Sequence, residues 1–177
     1  MLCYRDGDAA AFDVLYARHK GGLYRYFLRQ CREAPVADEL FQDVWMNLVR
    51  ARKGYTVQAK FTTYLYRLAH NRLMDHYRRR SVRGPTVSFE DAGEEAIDEL
   101  LDERDPPAED ALDLKRRAGR LLALIGELPE AQREAFLLQQ EGDMSVEAIA
   151  QATGVTRETA KSRLRYAMAK LKKGMRE

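Results

Sequence analysis

The sequence predicts an all-α protein made of two small helical domains joined by a flexible acidic linker, the C-terminal domain being a helix-turn-helix. Three observations predict it. Apolar residues recur at spacings of three and four along most of the 177-residue chain, the period of an amphipathic helix, and no stretch shows the alternation of a half-buried strand. Residues 145–171, SVEAIAQATGVTRETAKSRLRYAMAKL, set a short helix against a longer basic one across a glycine turn. Charge is also segregated: residues 1–83 hold 16 Lys and Arg against 8 Asp and Glu, residues 84–114 hold 1 against 12, and residues 115–177 hold 13 against 8. The overall +2 thus conceals blocks of +8, −11 and +5. Two modules suited to a polyanion flank a segment that repels it.

The first long helix is expected from Asp8, its cap, to about Gln30. Phe12, Leu15, Tyr16, His19, Leu23 and Phe27 form its apolar stripe. His19 on that stripe reads as a core histidine with one hydrogen bond. So short a lead-in predicts that the natural start lies upstream. A second helix, started by Pro35, runs to about Lys53 and buries Val36, Leu40, Phe41, Val44, Leu48 and Val49. Asp38, Glu39, Gln42, Asp43 and Asn47 fall to its other side. Asp38 and Glu39 suit a first turn, where the helix dipole favours carboxylates, and the acidic face is also a candidate protein-docking surface beside Trp45 and Met46.

After the loop GYTVQA, a third helix from Phe61 to about Arg80 mixes aromatic and basic residues more densely than any other segment. Phe61, Leu65, Leu68, Ala69, Leu73 and Tyr77 make its core stripe. Lys60, Thr63, Tyr64, Arg67, Asn71 and Arg72 are left for other work. Cations track phosphates and rings stack unpaired bases, so this face suits single-stranded nucleic acid, with Arg78, Arg79 and Arg80 as a phosphate-contacting tail. Tyr64 and Tyr66 are expected to be partly buried with exposed hydroxyls.

Between Gly84 and Asp113 the periodicity fades, Pro85, Pro106 and Pro107 interrupt, and acidic residues dominate. This is the expected linker, in which Ala96, Ile97, Leu100 and Leu101 could form one helical turn. The domains are accordingly placed at 1–83 and 114–177, with 84–113 between them. A helix from about Ala111 to Gly126 packs Leu112, Leu121, Leu122 and Ile125. Another begins at Pro129, packs Ala135, Phe136 and Leu138, and ends at Gly142.

In the helix-turn-helix, Ile149 and Ala150 face the crossing, Gly154 supplies positive φ and Val155 plugs the corner. Thr156 is placed to cap the second helix, whose buried stripe is Ala160, Leu164, Ala167, Met168 and Leu171. Glu158, Lys161, Ser162 and Arg165 occupy the opposite face with Arg157 and Arg163 on its flanks. These side-chain types reach phosphates and base edges in a major groove.

The order of these modules resembles a bacterial sigma-70-type initiation factor of the small, two-domain, extracytoplasmic-function (ECF) class, from about Gly7 to Lys173. The passages that carry it are ADELFQDVWMNLVRA (37–51), KFTTYLYRLAHNRLMDHYRR (60–79), and ELPEAQREAFLL (127–138) followed by the helix-turn-helix. Ala160 stands where that family usually places a branched apolar residue. The resemblance implies that Asp38, Glu39, Leu40, Gln42 and Asp43 bind core RNA polymerase through its largest subunit. It further implies that Lys53, Lys60, Thr63, Tyr64, Arg67 and Asn71 bind and melt the −10 element as single strand. Thr156, Arg157, Glu158, Lys161, Ser162, Arg163 and Arg165 would read the −35 element. It also implies an anti-sigma protein as a partner, and promoter DNA engaged at both elements, since linking two weak sites raises effective concentration.

The composition bounds the alternatives. No run approaches the roughly 18 apolar residues of a membrane span, and MLCYRDGDAAAF lacks the pattern of a secretion signal. A cytoplasmic protein without membrane insertion is expected. Cys3 and Cys31 offer no disulfide framework or zinc site, and His70 and His76, six apart, point to different helix faces, so no metal or other cofactor is expected. The carboxylates concentrate in the linker, where no rigid scaffold holds a catalytic pair, so no enzymatic activity is expected. The competing reading is a free-standing helix-turn-helix regulator, which requires a symmetric dimer and a palindromic site.

Overall fold

The computed structural model describes residues 1–83 and 108–176, with side chains for 1–81 and 113–176. All its regular elements are helices: α1 (Leu2–Arg5), α2 (Ala10–Cys31), α3 (Ala34–Ala51), a 3-10 turn (Arg52–Gly54), α4 (Phe61–Arg83), α5 (Ala108–Gly126), α6 (Glu130–Gly142), α7 (Val146–Thr153) and α8 (Arg157–Gly174). The all-α class is as the periodicity predicts. The expected linker lies outside the described residues over 84–107, including the suggested turn at Ala96–Leu101. From Ala108 on, the chain is already helical, three residues before the expected start.

Helix α2 starts where Asp8 Oδ1 accepts the Ala10 and Ala11 amides at 3.0 and 3.4 Å, and it stops at Arg32, whose left-handed φ of 59° closes the last turn onto the Leu28 carbonyl. Leu15, Leu23 and Phe27 of the expected stripe are buried. His19 is half-buried, its ring 5.2 Å from that of Phe61. Tyr26, Leu28, Gln30 and Cys31 are buried as well, so α2 is covered on two faces: α3 takes one and α6 the other. Helix α3 buries Ala37, Leu40, Val44, Trp45 and Leu48. Val49, expected inside, is 36% exposed, and Trp45 takes the interior place among Phe12, Tyr16 and Phe41. Because α3 begins at Ala34, Asp38 and Glu39 stand in its second turn, beyond the strongest reach of the helix dipole.

Helix α4 seats Leu65, Ala69 and Leu73 in the core, with Phe61, Leu68 and Tyr77 half-buried. A second face of α4 packs on α7 and α6. Tyr66 lies there at 2% exposure, donating its hydroxyl to the Glu141 carbonyl at 3.0 Å. The expected exposed hydroxyl is therefore corrected by the packing of the C-terminal half.

Helix α6 is the hub. Arg133 through Leu138, six consecutive residues, are all buried, the mark of a helix enclosed on every side. It lies between α2 and α8. Its left-handed end residue is Asp143 (φ 47°), not the expected Gly142. Gly142 has another reason to lack a side chain, since a Cβ there would lie 2.9 Å from the Tyr66 ring. The buried side chains of both halves form one continuous cluster.

Leu137 is fully enclosed (0% exposed) at the centre of this arrangement. Leu137→Ala is expected to lower unfolding stability by about 2–5 kcal/mol, the transfer term plus the cavity, read as a shift in the denaturant midpoint.

Candidate nucleic-acid and polymerase interfaces

The helix-turn-helix is assembled by local hydrogen bonds. Ser145 accepts the Ala148 amide at 3.2 Å and so caps α7. Gly154 at φ 67° turns the chain, and the Val155 amide closes onto the Ala150 carbonyl at 3.1 Å. Thr156 accepts the Thr159 amide at 3.2 Å and caps α8. Ile149, Ala150 and Ala160 are buried at the crossing (1, 8 and 0% exposed). Ala160 brings only a methyl to this enclosed crossing, which leaves little bulk between the two helices. Ala167 and Leu171 continue the buried stripe, Leu164 is half-buried, and Met168 corrects the expectation at 47% exposure because the covered line runs through 160, 164, 167 and 171 and leaves 168 beside it.

Of the residues expected to read DNA on α8, Arg157, Glu158, Lys161 and Arg165 are exposed. Arg157 pairs with Glu147 and, at 3.3 Å, with Glu158. The pair with Glu147 raises the guanidinium pKa and lowers that of the carboxyl, the direct hydrogen bond being the main cause. Exposed pairs of this kind contribute little to stability and exchange readily for a phosphate. Arg165 lies over the Tyr166 ring at 5.0 Å. Tyr166, 54% exposed, is a further candidate contact that the basic pattern did not single out. Ser162 is half-buried. Thr156 is committed to its cap. Arg163 is half-buried and, with His70, Met74 and Tyr77, lines a cleft of about 280 Å³ between the halves.

On α4, Lys60, Tyr64, Arg67 and Asn71 follow one another at four, three and four residues, one line along the helix. Lys60, Arg67 and Asn71 are exposed, as is Lys53 in the 3-10 turn. Tyr64 is half-buried, held edge-on by Tyr55 at 5.1 Å. Partial burial and then the neighbouring Tyr55 raise its hydroxyl pKa. Thr63 is 5% exposed, so the structure places it under this line and not on it.

Asp38, Glu39 and Gln42 are exposed on α3 and Asp43 is half-buried. Leu40 is 5% exposed and supports this face from the core. Met46, 49% exposed and expected beside this face, and Val49, expected inside, continue it toward the C-terminal end of α3. Among the described residues no group of three or more His, Cys, Asp or Glu could hold a metal ion, and no helix is long and apolar enough to cross a membrane. Burial pushes the Cys31 thiol up to about 12, with Glu33 adding to it, so it is a packed side chain without thiolate character.

Comparison with known proteins agrees with this arrangement. The family model for sigma-70 region 2 matches residues 15–83, and that for sigma-70 region 4 matches residues 118–171. The ECF RNA polymerase sigma factor SigM of Mycobacterium tuberculosis is 30% identical over 165 residues, 93% of this chain and 77% of SigM. The RNA polymerase sigma factor CarQ of Myxococcus xanthus is 28% identical over 96% of this chain and 91% of its own. The sigma factor RpoE of Bartonella quintana, solved in complex with the anti-sigma factor NepR, shares the fold with a TM-score of 0.71 at 20% identity, over 94% of this chain and 97% of that one. Two regional matches in the right order and relatives that span both halves lead to one assignment: the chain belongs to the ECF class of sigma-70 family RNA polymerase sigma factors, which initiate transcription.

Proposed function

We propose that this sigma factor binds core RNA polymerase through α3, melts the −10 element on α4 and reads the −35 element with α8. The observation that carries the reading is the exposed face of the second helix of the helix-turn-helix, with Arg157, Glu158, Lys161 and Arg165 standing clear of the packing. Arginine and lysine there would contact guanine edges and phosphates, and Glu158 would accept from a cytosine amine. The line Lys60, Tyr64, Arg67 and Asn71 would hold the displaced strand, with Tyr64 offering a ring to an extruded base; unstacking costs a few kcal/mol, which stacking and hydrogen bonding in the complex offset. Asp38, Glu39, Gln42 and Asp43 would meet a basic surface of the polymerase's largest subunit, with Met46 and Val49 adding apolar area. In this reading the chain works in the cytoplasm, acts by binding and performs no catalysis of its own. An anti-sigma protein would restrain it, a role supported by the neighbouring structure of a sigma factor bound to NepR.

Reconstituted transcription on promoters mapped after overexpression tests the whole reading: the full chain should direct core polymerase to defined starts, and no stimulation would overturn it. In that assay Arg165→Ala and Lys161→Ala should each weaken promoter binding by the holoenzyme. A base-reading residue should lose about 5- to 150-fold selectively for one −35 sequence. A phosphate contact should lose affinity evenly across sequences and reduce the salt slope by about one. Glu39→Lys with Asp38→Lys should weaken core-polymerase affinity about tenfold or more, the scale of losing an interfacial charge pair. Thermal unfolding should stay unchanged, because both positions are exposed.

A further inference from the structure

Residues 1–7 belong to none of the surfaces described above, yet they are firmly attached. Gly7, at φ 114°, takes a backbone conformation that L side chains rarely adopt, and α1 before it packs on α2 and on the 3-10 turn. Tyr4 is 5% exposed. Its ring lies 5.2 Å from that of Phe12 and 5.2 Å from the Arg52 guanidinium, a cation–π contact of the kind that strengthens out of water. Arg5 Nη1 donates to the Tyr55 carbonyl at 3.4 Å. The same guanidinium is oriented by the Asp6 carboxylate, at 2.7 and 3.2 Å.

These contacts converge on the base of the loop that leads into α4. Thr56, Val57, Gln58 and Lys60 of that loop are exposed, so its anchorage comes from its ends. At one end the Tyr55 amide donates to the Arg52 carbonyl at 3.2 Å, and the Tyr55 ring, 6% exposed, stands edge-on to Tyr64 at 5.1 Å. At the other the Lys60 carbonyl accepts the Tyr64 amide at 3.2 Å. A side chain that recognises a base has to be held by its neighbours to within about 0.5 Å. We infer that α1 is a positioning element for −10 recognition: Tyr4 and Arg5 fix the 3-10 turn and the Tyr55 carbonyl, and the Tyr55 ring passes that placement to Tyr64. The inference rests on the reading of α4 above, in which Tyr64 receives an extruded base. Tyr4 and Arg5 act through Tyr64 and touch neither base nor phosphate.

Holoenzymes carrying the full chain are compared on one mapped promoter and on versions of it with each base at the extruded −10 position, the readout being the rate of open-complex formation. Tyr64→Ala should flatten the preference among bases. Arg5→Ala and Tyr4→Ala should each flatten it about fivefold or more, within the range of couplings between residues in contact. Tyr4→Phe, which keeps the ring beside Arg52, should retain it. The −35 preference, the core-polymerase affinity and the salt slope should match those of the unsubstituted chain. Because Arg5 acts through Tyr64, adding Arg5→Ala to Tyr64→Ala should cost less than about twofold more. Unchanged preference in Arg5→Ala beside a flattened Tyr64→Ala would overturn the brace and leave the −10 reading intact. A loss even across all bases, with the salt slope reduced by about one, would make Arg5 a phosphate contact and overturn it too. So would full additivity of the two substitutions. If Tyr64→Ala itself leaves the preference unchanged, the reading of Tyr64 falls and the brace with it. Tyr4 is buried and Arg5 half-buried, so Arg5→Ala carries the test if Tyr4→Ala loses thermal stability.

Discussion

A carboxylate taken out of water has to be met by donors, and Glu134, 4% exposed, is met from the other half of the chain. Tyr26 and His70 both approach its Oε1. Leaving such a charge without its partners costs several kcal/mol, so α6 cannot be enclosed as it is unless α2 and α4 supply them. The match works in both directions. Burial first, and then the charge of Glu134, keeps the Tyr26 hydroxyl pKa well above its ordinary value, so Tyr26 remains protonated and donates. Arg133, one position earlier on α6, solves a different problem with the same geometry. Its guanidinium serves the carbonyls of Gly126 and Leu128 at the end of α5 and that of Gln30 near the end of α2, backbone acceptors that a helix terminus leaves without intrahelical donors.

Ion pairs and hydroxyl contacts are set into an apolar cluster that runs continuously through both halves. Leu23, Phe27, Val44, Leu48, Leu65 and Leu73 close the N-terminal core, and Leu137, Leu138, Ile149, Ala160 and Leu171 lie on the other side. Separating apolar cores would expose area at about 25 cal/mol per Å² with nothing in return. Separating ion pairs and hydroxyl contacts returns each group to water, which repays most of what is lost.

That contrast also explains what could be read from the sequence and what could not. Period and punctuation revealed all the longer helices, the cap at Thr156, the turn at Gly154 and the exposed basic face of α8, because each is encoded within a few residues. The second buried faces escaped. On α2 that face is Gly22, Tyr26 and Gln30, and on α4 it includes Tyr66 and His70. A hydrophobic period does not register glycine, glutamine and histidine, and their partners lie 64 to 108 residues away in the chain for the contacts to Glu134. The same limit misplaced Leu40 and Thr63 among the contact residues. A motif supplies a segment, but only the packing tells which of two adjacent residues in it points inward.

Charge brings a further constraint. The N-terminal block is basic and so is the C-terminal one, and two like-charged bodies do not dock without local reversal. The seam provides it by placing cations of α2 and the His70 imidazole opposite Glu134 and Glu141, two carboxylates set within the basic C-terminal block. These groups are largely enclosed: the side chains of Glu141 and Arg29 are 6 and 9% exposed. The groups expected to meet DNA, Lys60, Arg67, Lys161 and Arg165, are exposed. Salt therefore acts on the two sets unequally. It screens exposed charges beyond about 10 Å at 0.1 M and competes directly for phosphates, while buried pairs feel it much less. Rising ionic strength thus weakens the exposed contacts expected to meet DNA before it weakens the enclosed pairs between α2 and α6, and the difference follows from where each charge is buried.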